Sequence, residues 1–205
     1  MNVRAVIVQG GGANYGSLRQ ACQRIDIDIE VSDDPAQIRG ATHVILPGVG
    51  AAAHATRALR ESGLDRVLTQ LTQPLLGVCL GMQLLFEFSD ESEATQAGSA
   101  IPCLGLIPGT VRRLPTAPTW PHMGWNRMTF DQPDHPLLAG LTADDWFYFV
   151  HGYAAPINDY TIARSDHGEP FAAIVARGNV YGAQFHPEQS AAAGRRLLAN
   201  FFALT

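Results

Sequence analysis

Leu75-Leu76-Gly77-Val78-Cys79-Leu80-Gly81-Met82-Gln83-Leu84-Leu85-Phe86-Glu87-Phe88 decides the fold. Its first four residues form a short apolar run of the kind that fills a buried strand, and from residue 82 to 88 the apolar positions recur as on a helix. A strand passing into a helix through Gly-x-Cys-x-Gly has the form of a nucleophile elbow, with cysteine where hydrolases place serine. The glycines permit a sharp turn that a β-carbon would obstruct, so the thiol of Cys79 projects at the carboxyl edge of a sheet. A helix beginning near Leu80 would aim its positive end at the sulfur and favour thiolate. The Leu80 N–H would then face a developing oxyanion. The plainer alternative is a buried cysteine in a glycine-rich turn.

Upstream, the apolar run 3–8 stops at Gly10-Gly11-Gly12, read as a turn, and an amphipathic stretch follows over 15–24. The run 44–46 stops at Pro47-Gly48 and leads to a helix over about 51–59. This alternation is that of parallel βαβ units. After about residue 105 short strand-like runs follow one another: 110–114, 125–130, 146–150 and 160–163. The runs 172–176 and 180–185 flank Arg177-Gly178-Asn179, a hairpin turn. A final helix covers 191–204 with Ser190 as its N-cap. The expectation is one α/β domain over 1–205. Its central sheet is mostly parallel and flanked by helices, with antiparallel strands in the second half.

Composition narrows the function. The 205 residues carry a net charge of −5 with 16% charged residues, and no basic run suggests nucleic acid. No stretch of about 18 apolar residues suggests a membrane span, and no basic-then-apolar leader opens the chain. A soluble, cytoplasmic protein is expected. Cys22, Cys79 and Cys103 form no Cys-x-x-Cys pair, which argues for reduced thiols and against a disulfide scaffold or a zinc site.

A thiolate nucleophile needs a base, and the base an orienting group. Gln184-Phe185-His186-Pro187-Glu188 offers both at a strand end. In extended chain Glu188 points to the same side as His186, and Pro187 biases His186 towards that geometry. Leu46-Pro47-Gly48-Val49-Gly50 ends an earlier strand at the same edge, where the Val49 N–H can turn inward as a second oxyanion donor.

These three elements, in this order, resemble the class I (Cys-His-Glu triad) glutamine amidotransferases. Finer motifs resemble the family of glutaminase subunits of imidazole glycerol phosphate synthase: the elbow through Glu87, Leu104-Gly105-Leu106-Ile107-Pro108-Gly109, Pro121-His122-Met123-Gly124-Trp125-Asn126 and Tyr148-Phe149-Val150-His151. The resemblance implies the class I amidotransferase fold. It also implies that Cys79 attacks the side-chain amide of glutamine with His186 and Glu188 as base and orienting group, that Leu80 and Val49 line the oxyanion hole, and that Gly48, Gly50, Gln83, Glu91 and Tyr153 help hold the substrate. Ammonia would pass into a (β/α)8-barrel cyclase subunit for histidine biosynthesis, with neither metal nor organic cofactor in this half. It further implies that, without ligand on the cyclase, the 48–50 loop keeps the Val49 N–H away from the oxyanion site.

Two positions depart from that family. A Ser or Thr is usual after Phe-Val-His, and this chain has Gly152; a Lys is common after His-Pro-Glu, and this chain has Gln189. The glutaminase of another synthase, such as anthranilate synthase, would use the same triad but leave 121–126 unexplained. A non-catalytic subunit is disfavoured by the complete Cys79, His186, Glu188 set. A serine hydrolase fails for lack of a Gly-x-Ser-x-Gly elbow.

Overall fold

The computed structural model describes residues 3–10, 12–91, 100–115 and 118–205. The first half alternates as expected. In chain order it runs β1 (Ala5–Val8), α1 (Tyr15–Gln23), β2 (Ile29–Ser32), α2 (Pro35–Gly40), β3 (His43–Gly48), α3 (Ala52–Glu61), α4 (Leu64–Leu68), β4 (Leu75–Cys79) and α5 (Leu80–Leu84). Apolar runs alone miss β2 and α2, because each is short and only Ile29 and Ile38 are wholly buried apolar anchors there. The signal for α2 was capping: Asp34 accepts from the Ala36 N–H at 2.8 Å, and Pro35 takes the first helical position.

The second half contains β5 (Phe86–Ser89), β6 (Ile101–Pro102), β7 (Ile107–Arg113), β8 (His122–Asn126), β9 (Thr129–Phe130), β10 (Phe147–His151) and β11 (Tyr153–Ala154). β12 (Thr161–Asp166), β13 (Pro170–Arg177), β14 (Val180–Ala183) and α6 (Ala191–Phe202) complete it. Eight strands make the main sheet in the order β2-β1-β3-β4-β14-β13-β12-β9. The first five are parallel and the last three antiparallel. β8 pairs with β10 in a ribbon, and β11-β7-β5-β6 form a smaller sheet.

Side-chain alternation along the parallel strands separates two apolar layers. Ile7, Ile45 and Leu76 pack on one face with α1 and α6. Val6, Val44 and Leu75 pack on the other with residues of α2 to α5. Buried on both faces, these strands read as continuous apolar runs, which is why the sequence exposed them.

Two expectations need correction. The helix after the elbow runs from Leu80 to Leu84, and Phe86–Ser89 leaves it as a strand, paired parallel to β7 and antiparallel to β6. Tertiary pairing overrides the local helical spacing there. The run 125–130 is two strands in different sheets, because the Asn126 side chain accepts from the Arg127 N–H at 2.8 Å and turns the chain. Ser190 stands at the N-cap of α6 as expected, but its side chain makes no cap bond and turns elsewhere. The hairpin turn stands where expected, with Gly178 at φ +58° and Arg177 paired to Val180.

Candidate active site

The elbow is assembled by close backbone approach. Cys79 ends β4 at φ 53°, ψ −113°, a left-handed conformation that costs a non-glycine residue of order 1–3 kcal/mol. The flanking glycines make room for it. A β-carbon at Gly77 would lie 2.6 Å from the Gly81 carbonyl oxygen, and one at Gly81 would collide with the carbonyl of Leu46. Neighbours made of backbone cannot give way. Leu80, as the first residue of α5, has no partner within the helix for its N–H. α5 is a five-residue helix, so the local N–H groups matter here more than any long-range dipole.

β4 and β14 are adjacent and parallel, and this brings the base to the thiol. His186 follows the end of β14 and lines the same cleft as Cys79, to which it is electrostatically coupled, and its Nδ1 meets Glu188 Oε1 at 2.8 Å. Glu188 reaches back from a 3-10 turn, Pro187–Gln189, and not from continued strand as the i, i+2 argument supposed. Its side chain is 5% exposed, and Oε2 has no hydrogen-bond partner among the described residues. Burial opposes charge on the imidazole. The hydrogen bonds and charges of Cys79 and Glu188 outweigh it and hold the His186 pKa up at about 10. Burial pushes the Cys22 thiol up to about 12 and raises Cys103 as well, so neither is prepared for attack.

Residues outside the triad complete the frame. Gln184, wholly buried, donates from Nε2 to Cys79 Sγ at 3.8 Å and accepts from Gln83 Nε2 at 2.9 Å. The thiol donates to the Val150 carbonyl at 3.6 Å. Ser190, turned inward, donates to the His186 carbonyl at 2.7 Å and accepts from the Tyr148 N–H at 2.9 Å, while the His186 N–H donates to the Tyr148 carbonyl at 2.9 Å. This closed ring fixes the peptide of His186 against β10. A buried serine beside the His-Pro-Glu motif was the available signal.

A cleft of about 170 Å³ opens over Cys79, walled by Val49, Gly50, Leu80, Gln83, Glu91, Val150 and 151–153, with His186 at its side. It has room for about five water molecules, enough for a small amino acid and too little for a nucleotide. A larger hollow of about 610 Å³ beside β1 and α2 is lined by no cysteine, serine, threonine or histidine.

The sequence matches the profile described as Glutamine amidotransferase class-I over residues 4–204. The chain belongs to the class-I glutamine amidotransferases. It is 44% identical over 205 residues to the imidazole glycerol phosphate synthase subunit HisH of Vibrio cholerae, covering 100% of both chains. It is 48% identical over 201 residues to the HisH subunit of Xanthomonas axonopodis pv. citri, covering 97% of this chain and 96% of that one. The fold is shared with a putative GMP synthase component from Thermoplasma acidophilum, at TM-score 0.72 and 18% identity over 99% and 94% of the two chains.

In this amidotransferase Gly50, Gln83, Glu91 and Tyr153 line the cleft over Cys79, whereas Gly48 does not, and two further differences stand out. Gln83 is committed inside, its Nε2 donating to the Tyr153 carbonyl at 2.7 Å as well as to Gln184. The Val49 N–H donates to the Gly12 carbonyl at 3.3 Å, turned away from Cys79. Gly50 carries the left-handed turn at φ +89°. Gly48 is instead fixed by contact, since a β-carbon there would lie 2.9 Å from the Gly81 nitrogen. Gly11 lies outside the described residues. Glu91 Oε2 accepts from the Ala52 N–H at 2.9 Å, tying the cleft to the start of α3, and burial raises its pKa. Among the described residues no helix is long and apolar enough to cross a membrane.

Behind the cleft His151 Nδ1 meets the Tyr153 carbonyl at 2.9 Å, so that nitrogen carries the proton. His151 Nε2 then accepts from His122 Nδ1 at 3.0 Å. Burial lowers His151 to about 3 and, with the charge of His167, lowers His122 to about 4, from an ordinary 6.5. Both are neutral at pH 7. The unfolded chain binds these protons first, so their contribution is complete above pH 6.5 and fades as pH falls to about 4 for His122 and about 3 for His151. Both rings are buried and both folded pKa values lie below 5, so we expect unfolding free energy from denaturant titrations to drop by about 2 kcal/mol for each of them between pH 7 and pH 5. His186, shifted upward, acts in the opposite sense and costs stability only above pH 6.5. His151→Gln should flatten the acid limb; an unchanged slope would contradict the neutral pair.

Proposed function

We propose that this chain is the glutamine-hydrolysing subunit of an imidazole glycerol phosphate synthase. In this reading it is a single cytoplasmic glutaminase domain that passes ammonia to a (β/α)8-barrel cyclase subunit in histidine biosynthesis. The observation that carries the reading is the meeting of Cys79 and His186 at a cleft sized for one small amino acid, with Glu188 holding the imidazole from behind, in a chain similar along its whole length to HisH subunits.

The Cys79 thiolate attacks the side-chain carbonyl carbon of glutamine, and the oxygen takes the negative charge towards the Leu80 N–H. His186, protonated, gives its proton to the amide nitrogen, and the C–N bond breaks to release ammonia. The acyl group remains on sulfur as a thioester. Acylation removes the thiolate that had raised the His186 pKa, while burial continues to lower it. The imidazole therefore changes from acid to base at the step that needs a base. It takes a proton from water, hydroxide attacks the thioester carbon, and glutamate leaves as the thiolate returns. Glu188 holds the ring through Nδ1 throughout.

Glu91, with one oxygen occupied by Ala52, presents carboxylate to the ammonium group of the substrate, and Tyr153 with Gly50 shapes the wall. The Val49 N–H, held by Gly12, supports a resting state with half an oxyanion hole; turning that peptide would complete it. Met123 and Trp125, 64% and 49% exposed on β8, suit a surface that a cyclase covers. Glutamate release should be slow from the chain alone and should rise strongly with the cyclase partner and its imidazole-carboxamide ribonucleotide ligand. Fast release that ignores the cyclase would keep the cysteine chemistry and remove the assignment to this synthase.

A further inference from the structure

Gly152 lines the cleft between His151 and Tyr153, and the indole of Trp120 lies against it. The Trp120 Nε1–H donates to the Gly152 carbonyl at 3.1 Å, and the Leu114 N–H donates to the same oxygen at 3.0 Å. The Arg113 guanidinium covers the indole, 4.6 Å from its ring centroid. A β-carbon at 152 would fall 2.6 Å from both Cε2 and Cζ2 of that ring. Indole and side chain thus compete for one volume, and Trp120 occupies it only because residue 152 has none.

The next peptide is also tied down. The Tyr153 carbonyl accepts from both Gln83 Nε2 and His151 Nδ1. Gly152 is the link in this wall without a side chain to anchor it, and the indole provides the anchor from outside. We propose that Trp120 is a positioning residue for the glutamine pocket, holding the Gly152 peptide so that the cleft wall keeps its place against the substrate. The inference rests on the glutaminase reading.

The test uses the full chain without a partner, so that any effect on docking of the cyclase is excluded. A glutamine-mimicking alkylator, 6-diazo-5-oxo-L-norleucine, is titrated against Cys79, giving a half-saturating concentration and a maximal rate of labelling. Trp120→Ala should raise the half-saturating concentration about five-fold, the weight of one net hydrogen bond, with the maximal rate within about two-fold. Trp120→Phe, which keeps a ring and loses the donor, should fall between. Gly152→Ser should also weaken binding by displacing the indole. The double variant should be no worse than Trp120→Ala, because neighbours sharing one volume do not act additively. Trp120 is 51% exposed, so loss of the fold is not expected on truncation. An unchanged half-saturating concentration in Trp120→Ala, or additive effects in the double variant, would overturn the proposal. Failure of the unaltered chain to label at Cys79 even after the cyclase and its ligand are added would instead remove the glutaminase reading, and the role of Trp120 with it.

Discussion

Cys79→Ala should lower glutamine hydrolysis by at least about 10⁴-fold, since no other group can form the thioester. The fold should persist. Alanine keeps the β-carbon, so the cost of the left-handed backbone at position 79 is unchanged. Two long sulfur hydrogen bonds disappear, those to Val150 and Gln184, together with the charge interaction with His186. Stability measured by thermal unfolding should therefore change little. Synthesis by the complex should continue when ammonia is supplied in place of glutamine, because the cyclase half is untouched. Glutamate release surviving in this variant would end the nucleophile assignment.

His186→Ala should be nearly as severe, about 10³- to 10⁴-fold, with the further consequence of a weaker fold. The imidazole is the one described partner of a carboxylate whose side chain is 5% exposed. Removing it leaves Glu188 buried and unpaired, a loss of about 3 kcal/mol by the usual measure of broken buried pairs. Glu188→Gln should behave differently, because the amide oxygen still accepts from Nδ1; we expect about 10²-fold slower hydrolysis and little loss of stability. Adding Glu188→Ala to His186→Ala should restore much of the stability and none of the activity. Thermal unfolding alongside glutamate release separates these outcomes, and equal stability of the two single variants would contradict the pairing.

The residues that meet at the cleft were legible because they are written locally. Gly77-x-Cys79-x-Gly81 and His186-Pro187-Glu188 are each contiguous, and buried parallel strands announce themselves as apolar runs. What was hidden depends on residues distant in the chain. The strand at Phe86 forms only because β7 lies alongside it, and nothing local in Leu84-Leu85-Phe86 distinguishes that from another helical turn. Ser190 reads as a capping side chain until Tyr148 is placed opposite it. Trp120 and Gly152 are 32 positions apart, and their exclusive fit exists only once the indole has a direction. The orientation of the Val49 peptide could be anticipated from family resemblance, whereas its partner, Gly12, could not.

The strand order has a bearing on how the protein is made. Cys79 and Gln184, which meet at the site, are 105 residues apart in the chain, and β14 must slide between β4 and β13 before His186 can reach the sulfur. A ribosome delivers the thiol long before it delivers the base. Nascent or truncated chains that lack β14 hold a cysteine with no means of activating it, and so they leave the cell's glutamine alone until folding is nearly finished.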